Sequence, residues 1–361
     1  ESGLVIEVEK NNLPSIKDEL NEKGIFFDEI AQKNNEHQIR VKNFNEVLFE
    51  EGIYKLYDYW DDVSFKIQAQ RDNPETATSE RKAFKKFDRF LTPKINFAVP
   101  AITQKLFLSK PKIALLREQG INGHYDMAAA LMAAGFEVND VHLSEVGTKI
   151  KSFDEFIGLV VPGGFSYGDV LGAGKGMAKT ILNKNKMKKI FRDFFSNPKK
   201  FSLGVCNGCQ FLSGLTDIIP GSTTWPSFQR NISNQYECRL VQLKINHSPS
   251  IFFEGMADSV IPVMVSHGEG RASFDSKVRN KVLEYVDPKH QPTSVYPFNP
   301  NGSAEGVAGV CNEDGRVMIM MPHPERTFLT KQYSWAPKEW GIESPWFKMF
   351  DNAYQFYKKN Q

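Results

Sequence analysis

The stretch Phe201-Ser-Leu-Gly-Val-Cys-Asn-Gly-Cys-Gln210 decides how this chain is read. It opens with a short apolar run of the kind that forms a strand buried on both faces. It then turns through Gly204-Val-Cys206-Asn-Gly208 into a helix expected to begin near Gly208. A G-x-C-x-G turn between strand and helix is the thiol counterpart of a nucleophile elbow, in which small residues permit a tight, strained turn that lifts the central side chain over the strand end. The helix N-terminus beyond it favours negative charge, and with it the reactive thiolate. The plainer alternative, a buried structural cysteine, gives the flanking glycines no purpose. Cys206 and Cys209 also have C-x-x-C spacing. Zinc needs two further ligands, and Cys238 and Cys311 stand isolated. A redox pair leaves the turns described next unexplained.

Outward from this elbow the same pattern repeats. The runs Lys112-Ile-Ala-Leu-Leu116, Phe156-Ile-Gly-Leu-Val-Val161 and Val317-Met-Ile-Met-Met321 are separated by helical stretches such as Asp126 to Ala134 and Gly176 to Phe195. This alternation predicts an α/β fold, a mostly parallel sheet flanked by helices. Ligand chemistry then belongs at the carboxyl ends of the strands.

Two further turns leave such strand ends. Val161-Pro-Gly163-Gly164-Phe-Ser-Tyr-Gly-Asp169 can direct backbone N–H groups of Gly164 and Phe165 into the crevice, where with the N–H of Asn207 they form an oxyanion hole. Gly172-Ala-Gly-Lys-Gly176 lacks the spacing and the hydroxyl of a phosphate loop and reads as the opening of a helix. The third turn is Pro322-His323-Pro-Glu325. Its prolines hold the chain extended, so that Glu325 and His323 project to one side and the carboxylate orients the imidazole. His267-Gly-Glu269 has the same H-x-E form after the apolar segment Ile261 to Val265, and spacing alone leaves the choice between the two open.

The 361 residues suffice for two or three domains. Lys and Arg (45) nearly balance Asp and Glu (43), so no global field favours nucleic acid or an acidic membrane. Lys184-Asn-Lys-Met-Lys-Lys189 is expected as the wet face of a helix. Four cysteines make no disulfide framework, and no apolar run reaches the roughly 18 residues of a membrane span; these point to the cytoplasm. Near the start, Leu4-Val-Ile-Glu-Val8, Leu13 to Lys23 with Gly24 as cap, and Ile25 to Ile30 read as strand, helix and strand. Such a unit cannot bury both faces of its sheet, which together with the missing initiating Met suggests the remnant of a larger domain. From about Phe44 to Lys110 an aromatic-rich helix (Tyr54, Tyr57, Tyr59, Trp60, Phe65), a polar stretch and a tail broken by Pro93, Pro100 and Pro111 read as an irregular linker.

At the elbow, at Pro162-Gly-Gly-Phe-Ser-Tyr-Gly-Asp169, at His267-Gly-Glu-Gly-Arg271 and at Pro322-His-Pro-Glu-Arg326 the chain resembles the class I glutaminase domain of the phosphoribosylformylglycinamidine synthase family, also called formylglycinamide ribonucleotide amidotransferases. The resemblance covers about Pro111 to the C-terminus. Gln68-Ala-Gln-Arg-Asp-Asn-Pro74 resembles the end of the synthetase portion and linker of the large single-chain form. It implies a domain layout of 1–43 as synthetase remnant, 44–110 as linker and 111–361 as glutaminase. It assigns Cys206 as nucleophile, His323 as base and later acid, and Glu325 as its orienter. It gives Gln210 and the loop His267, Gly268, Glu269 and Gly270 to glutamine, with Arg230 and Asn231 near the same pocket, and so demotes His267 from the triad. It implies glutamine as substrate, no metal or cofactor for this domain, and ATP with Mg in a synthetase on the same polypeptide. Two other classes stay open: a cysteine hydrolase of similar fold, and a docking fragment silent without the synthetase.

Overall fold

The computed structural model describes residues 3–87, 89–102, 110–274 and 278–361. The chain divides into two units, Glu1–Asp62 and Val63–Gln361. The first holds the helix α1 (Leu13–Glu22) and an antiparallel hairpin of β1 (Gln38–Asn43) and β2 (Glu46–Gly52). The strands expected over 4–8 and 25–30 do not form. An extended segment needs a ladder partner for its backbone groups, and Leu4 and Val5 remain exposed. The helix expected from Leu13 to Lys23 forms as α1, its flanking strands do not, and the hairpin at 38–52 is the unit's only sheet among the described residues.

The division falls inside α2 (Ile53–Arg71), which is followed by α3 (Pro74–Lys86). Asn73 caps α3 by accepting the Glu75 N–H at 2.9 Å, and Pro74 occupies the first helical position, where its missing N–H costs nothing.

From residue 112 the chain alternates strand and helix: β3 (Lys112–Arg117), α4 (His124–Ala133), β4 (Glu137–His142), β5 (Phe156–Val161), α5 (Lys175–Leu182), α6 (Asn185–Ser196), β6 (Phe201–Val205) and α7 (Asn207–Ser213). The helix expected as one piece from Gly176 to Phe195 is two, broken at Asn183 and Lys184. α6 buries Met187, Ile190, Phe191, Phe194 and Phe195 and leaves its lysines in water. Beyond α7 come β7 (Ser227–Gln229), β8 (Glu237–Ile245), β9 (Val260–His267), β10 (Arg271–Ser273), β11 (Lys281–Tyr285), β12 (Val307–Cys311), β13 (Val317–Met320) and α8 (Phe347–Lys359).

Nine strands form one sheet in the order β4-β3-β5-β6-β13-β12-β11-β8-β9. The first five are parallel, as the continuous apolar runs require, and the last four join antiparallel. β7 and β10 pair separately. Helices cover the sheet, and α8 seats Phe347, Met349, Phe350, Ala353 and Tyr354 in the core. Each large side chain fully buried in this way contributes about 1.5–3 kcal/mol. The fold is therefore α/β with a parallel sheet flanked by helices, and its parallel and antiparallel portions meet at β13 and β12.

Candidate functional site

Cys206 stands between the end of β6 and the start of α7 with φ 53° and ψ −109°, a conformation costly to any L-residue with a side chain. The turn closes because residue 208 is glycine: a Cβ there would collide with the Val161 carbonyl oxygen. The Cys206 N–H donates to Met320 O at 2.9 Å, tying the elbow to the neighbouring strand. The helix begins one residue earlier than expected, at Asn207, so that Cys206 itself is its N-cap.

The turn after β13 carries His323, the residue expected as the base. The His323 N–H donates to Met264 O at 2.8 Å, and residues Pro324–Arg326 then form one turn of 3-10 helix rather than the extended run expected from the prolines. That tight turn brings Glu325 Oε1 to 2.6 Å from His323 Nδ1, both side chains being fully buried. Burial opposes the imidazolium, but the Glu325 carboxylate, and after it Cys206, offset this and hold the His323 pKa well above the ordinary histidine value. Gly163 fits between imidazole and thiol: a Cβ there would lie 2.7 Å from His323 Cε1 and 3.2 Å from Cys206 Cβ. The thiol and the imidazole thus share one patch of backbone. In this arrangement the Cys206 thiol is directed to Ser266 O at 3.5 Å, and His323 Nε2 makes no hydrogen bond.

The competing pair does not assemble. Glu269 accepts the Ala173 N–H at 3.3 Å, while both ring nitrogens of the buried His267 have no hydrogen-bond partner. Burial, and then the neighbouring His323, push His267 down to about 3, so its imidazole is neutral. Cys209 lies wholly buried below the elbow, and burial first and Cys206 second push its thiol up, keeping it protonated. The C-x-x-C pair is one cleft-lining sulfur and one core sulfur. All four cysteines are free. Among the described residues no cluster of three His, Cys, Asp or Glu side chains is arranged to hold a metal, and no helix is long and apolar enough to cross a membrane.

Gly164, Phe165, Asp169, Cys206, Gln210, Tyr236, Ser266, His267, Gly268, Glu269, His323 and Arg326 are among the lining of one cleft of about 380 Å³, within the range of small-ligand sites. Gln210 reaches across its floor to donate to Glu269 O at 2.6 Å. Of the expected oxyanion donors, Phe165 is already committed: its N–H donates to Gly120 O at 2.9 Å. Gly164 and Asn207 N–H have no protein acceptor among the described residues.

Arg230 is exposed, bonds Asn234 O at 3.3 Å and does not line the cleft. Asn231 and Gly270 do not line it either. Asn231 sits behind the loop, its side chain donating to His267 O at 2.8 Å and accepting the Gly270 N–H at 2.9 Å. Asp169, Tyr236, Ser266 and Arg326 also line the cleft, without being among the residues expected there. Asp169 accepts from Asn207 Nδ2 at 2.9 Å, Asn207 Oδ1 accepts from Ser166 at 2.7 Å, and Tyr236 OH meets Ser266 Oγ at 2.7 Å. A polar Ser-x-x-Asp turn after the double glycine was the available signal for Asp169; for Tyr236 there was none.

The structure of PurLQS from Thermotoga maritima is similar to this chain at 26% identity, over 70% of this chain and 99% of that one, with a TM-score of 0.52. A putative GMP synthase protein from Thermoplasma acidophilum is 15% identical over 70% of this chain and 96% of its own, with a TM-score of 0.43. Residues 110–357 match the CobB/CobQ-like glutamine amidotransferase domain, a span that includes every wall of the cleft, and the chain belongs to this family of glutamine amidotransferases.

Proposed function

We propose that this chain hydrolyses glutamine to glutamate and ammonia through a thioester on Cys206, and supplies the ammonia for ATP-dependent conversion of formylglycinamide ribonucleotide to formylglycinamidine ribonucleotide. The observation that carries this reading is a thiol on a strained elbow, sharing the Gly163 backbone with an imidazole that a buried carboxylate holds at 2.6 Å. The likeness to PurLQS and the four sequence motifs support the choice of reaction.

With its pKa raised, His323 holds the thiol proton as imidazolium, and the Cys206 thiolate attacks the glutamine carboxamide carbon. The N–H groups of Gly164 and Asn207 receive the tetrahedral oxyanion. The C–N bond breaks as His323 returns its proton to nitrogen, and ammonia leaves. Water, deprotonated by His323, attacks the thioester; glutamate departs and the thiol is restored. Glu325 keeps the imidazole oriented throughout. Gln210 and residues 267–269 hold the substrate, with Asn231 and Gly270 shaping that loop from behind. The domain needs no metal or cofactor of its own. In this reading the acceptor site, with its ATP and Mg, lies in a synthetase preceding it on the same polypeptide, residues 1–43 are that domain's end and 44–110 the linker, and the enzyme works in the cytoplasm.

The proposed dependence on the synthetase makes the glutaminase conditionally silent when that domain is absent. The test is ammonia release from glutamine, with and without the synthetase added. The expected result is slow release that the synthetase accelerates, lost in Cys206→Ala and only weakened in Cys209→Ala. Equal, complete loss in both variants with a reversible disulfide between the two sulfurs would replace this reading by a redox pair.

A further inference from the structure

α3 precedes the residues that match the amidotransferase domain, yet its cap bonds the segment that backs the cleft loop. Its cap residue, Asn73, uses its side chain twice. Oδ1 accepts the Glu75 N–H, while Nδ2 donates to Ile232 O at 2.8 Å, and the Asn73 N–H donates to Ser233 O at 3.2 Å. Ile232 follows Asn231, which is 1% exposed and bonds the loop three ways: to His267 O, to the Gly270 N–H, and through its own N–H to Gly268 O at 2.9 Å. Two residues therefore separate the helix cap from the loop backbone.

A second strut leaves the same helix. Glu80 accepts from Arg239 Nη1 at 2.7 Å, Arg239 is ion-paired to Glu237 at 2.8 Å, and the buried Glu237 stands opposite His267 in the ladder of β8 with β9. Ser79 Oγ donates to Tyr296 O at 2.6 Å, and the Tyr296 hydroxyl donates to Glu237 at 3.2 Å.

We propose that Asn73 is a positioning residue for substrate: with α3 behind it, it sets the height of the loop 267–270 over Cys206 through Ile232 and Asn231, and so sets the affinity for glutamine. This rests on the reading of the cleft as a glutamine site. Cys206, His323 and Glu325 do not bond α3, so the chemical step is expected to be spared.

The decisive variant is Asn73→Asp in the full chain. It keeps the acceptor that caps α3 and sets a carboxylate oxygen against Ile232 O in place of the donor, so loop support is lost while the helix keeps its cap. A net hydrogen bond of about 1–1.5 kcal/mol corresponds to a roughly fivefold to tenfold change. The glutamine KM is expected to rise by that factor with kcat within about twofold, and amide exchange at residues 268–270 to quicken; Asn73→Ala should do the same with added loss of Tm. Unchanged KM, or a fall in kcat alone, overturns the proposal, as does unchanged exchange at the loop. If the parent chain neither binds nor hydrolyses glutamine, the glutamine reading fails, while amide exchange still decides whether Asn73 holds the loop.

Discussion

The two walls of the cleft are built differently. On the parallel side, the turns after β5, β6 and β13 are fixed by packed backbone: the Cys206 N–H on Met320 O, glycine 208 against Val161, glycine 163 against both thiol and imidazole. On the antiparallel side, the loop after β9 is held by side-chain amides, those of Asn231, Gln210 and, through Gly270 O at 2.8 Å, Asn301. Strain and close packing fix atoms to fractions of an ångström, which a reacting thiol and base require. A loop held by a few exchangeable amide bonds can be tuned from a distance. Under the proposed function, chemistry and glutamine affinity have separate mechanical supports, and variants on the two sides should separate kinetically.

The largest effect is expected on the parallel side. His323→Ala should lower kcat and kcat/KM together by about a thousandfold or more, since the base acts in the transition state. His267→Ala, across the cleft, should act chiefly on KM. Steady-state glutaminase kinetics decide, and the reverse pattern would exchange the two H-x-E assignments.

Gly163→Ala sharpens the same point without touching a reacting group. The added methyl must displace the imidazole, and a displacement of that order costs about a hundredfold in kcat. Circular dichroism and Tm should stay near those of the parent; a normal kcat would mean that the imidazole adapts and the shared backbone patch is incidental.

On the antiparallel side, Asn231→Ala leaves the His267 carbonyl and the Gly270 N–H without their side-chain partner, at about 1–3 kcal/mol for each group left unsatisfied. Glutamine KM should rise about tenfold or more with kcat much less affected. A loss confined to kcat would join this wall to the chemistry and remove the distinction.

The smallest effect concerns Asp169. Burial first, and the Glu269 carboxylate after it, push its carboxyl up to about 6 from an ordinary 3.8, against the hydrogen bond from Asn207. A carboxyl whose folded pKa exceeds its unfolded one costs stability wherever it is ionised. That cost is absent below 3.8 and complete above about 6. Asp169→Asn should therefore melt above the parent near pH 8, with the advantage shrinking as the pH falls toward about 4. A gain that is equal at both ends would assign it to packing.

The residues that fix geometry through their own backbone were legible in the sequence: continuous apolar runs for β3, β5, β6 and β13, glycines at the elbow, and His323 with Glu325 two residues away. What escaped depends on partners remote in sequence. Phe165 looks like an oxyanion donor until Gly120, 45 positions earlier, takes its N–H. Arg230 and Asn231 look like one motif, yet one side chain faces water and the other is buried behind the loop. The hairpin of β1 and β2 turns at Phe44, whose φ is 51°, with none of the Asn-Gly signals that mark such turns. The support from Asn73 was invisible because its sequence signal, a polar residue before proline, says only that a helix begins.

The most direct test of the account is mass spectrometry of the full chain after exposure to a glutamine-like diazoketone, with and without competing glutamine. The account predicts one adduct, on Cys206, suppressed by glutamine and absent in Cys206→Ala. An adduct on Cys209, Cys238 or Cys311, or labelling of Cys206 that glutamine does not slow, would contradict it.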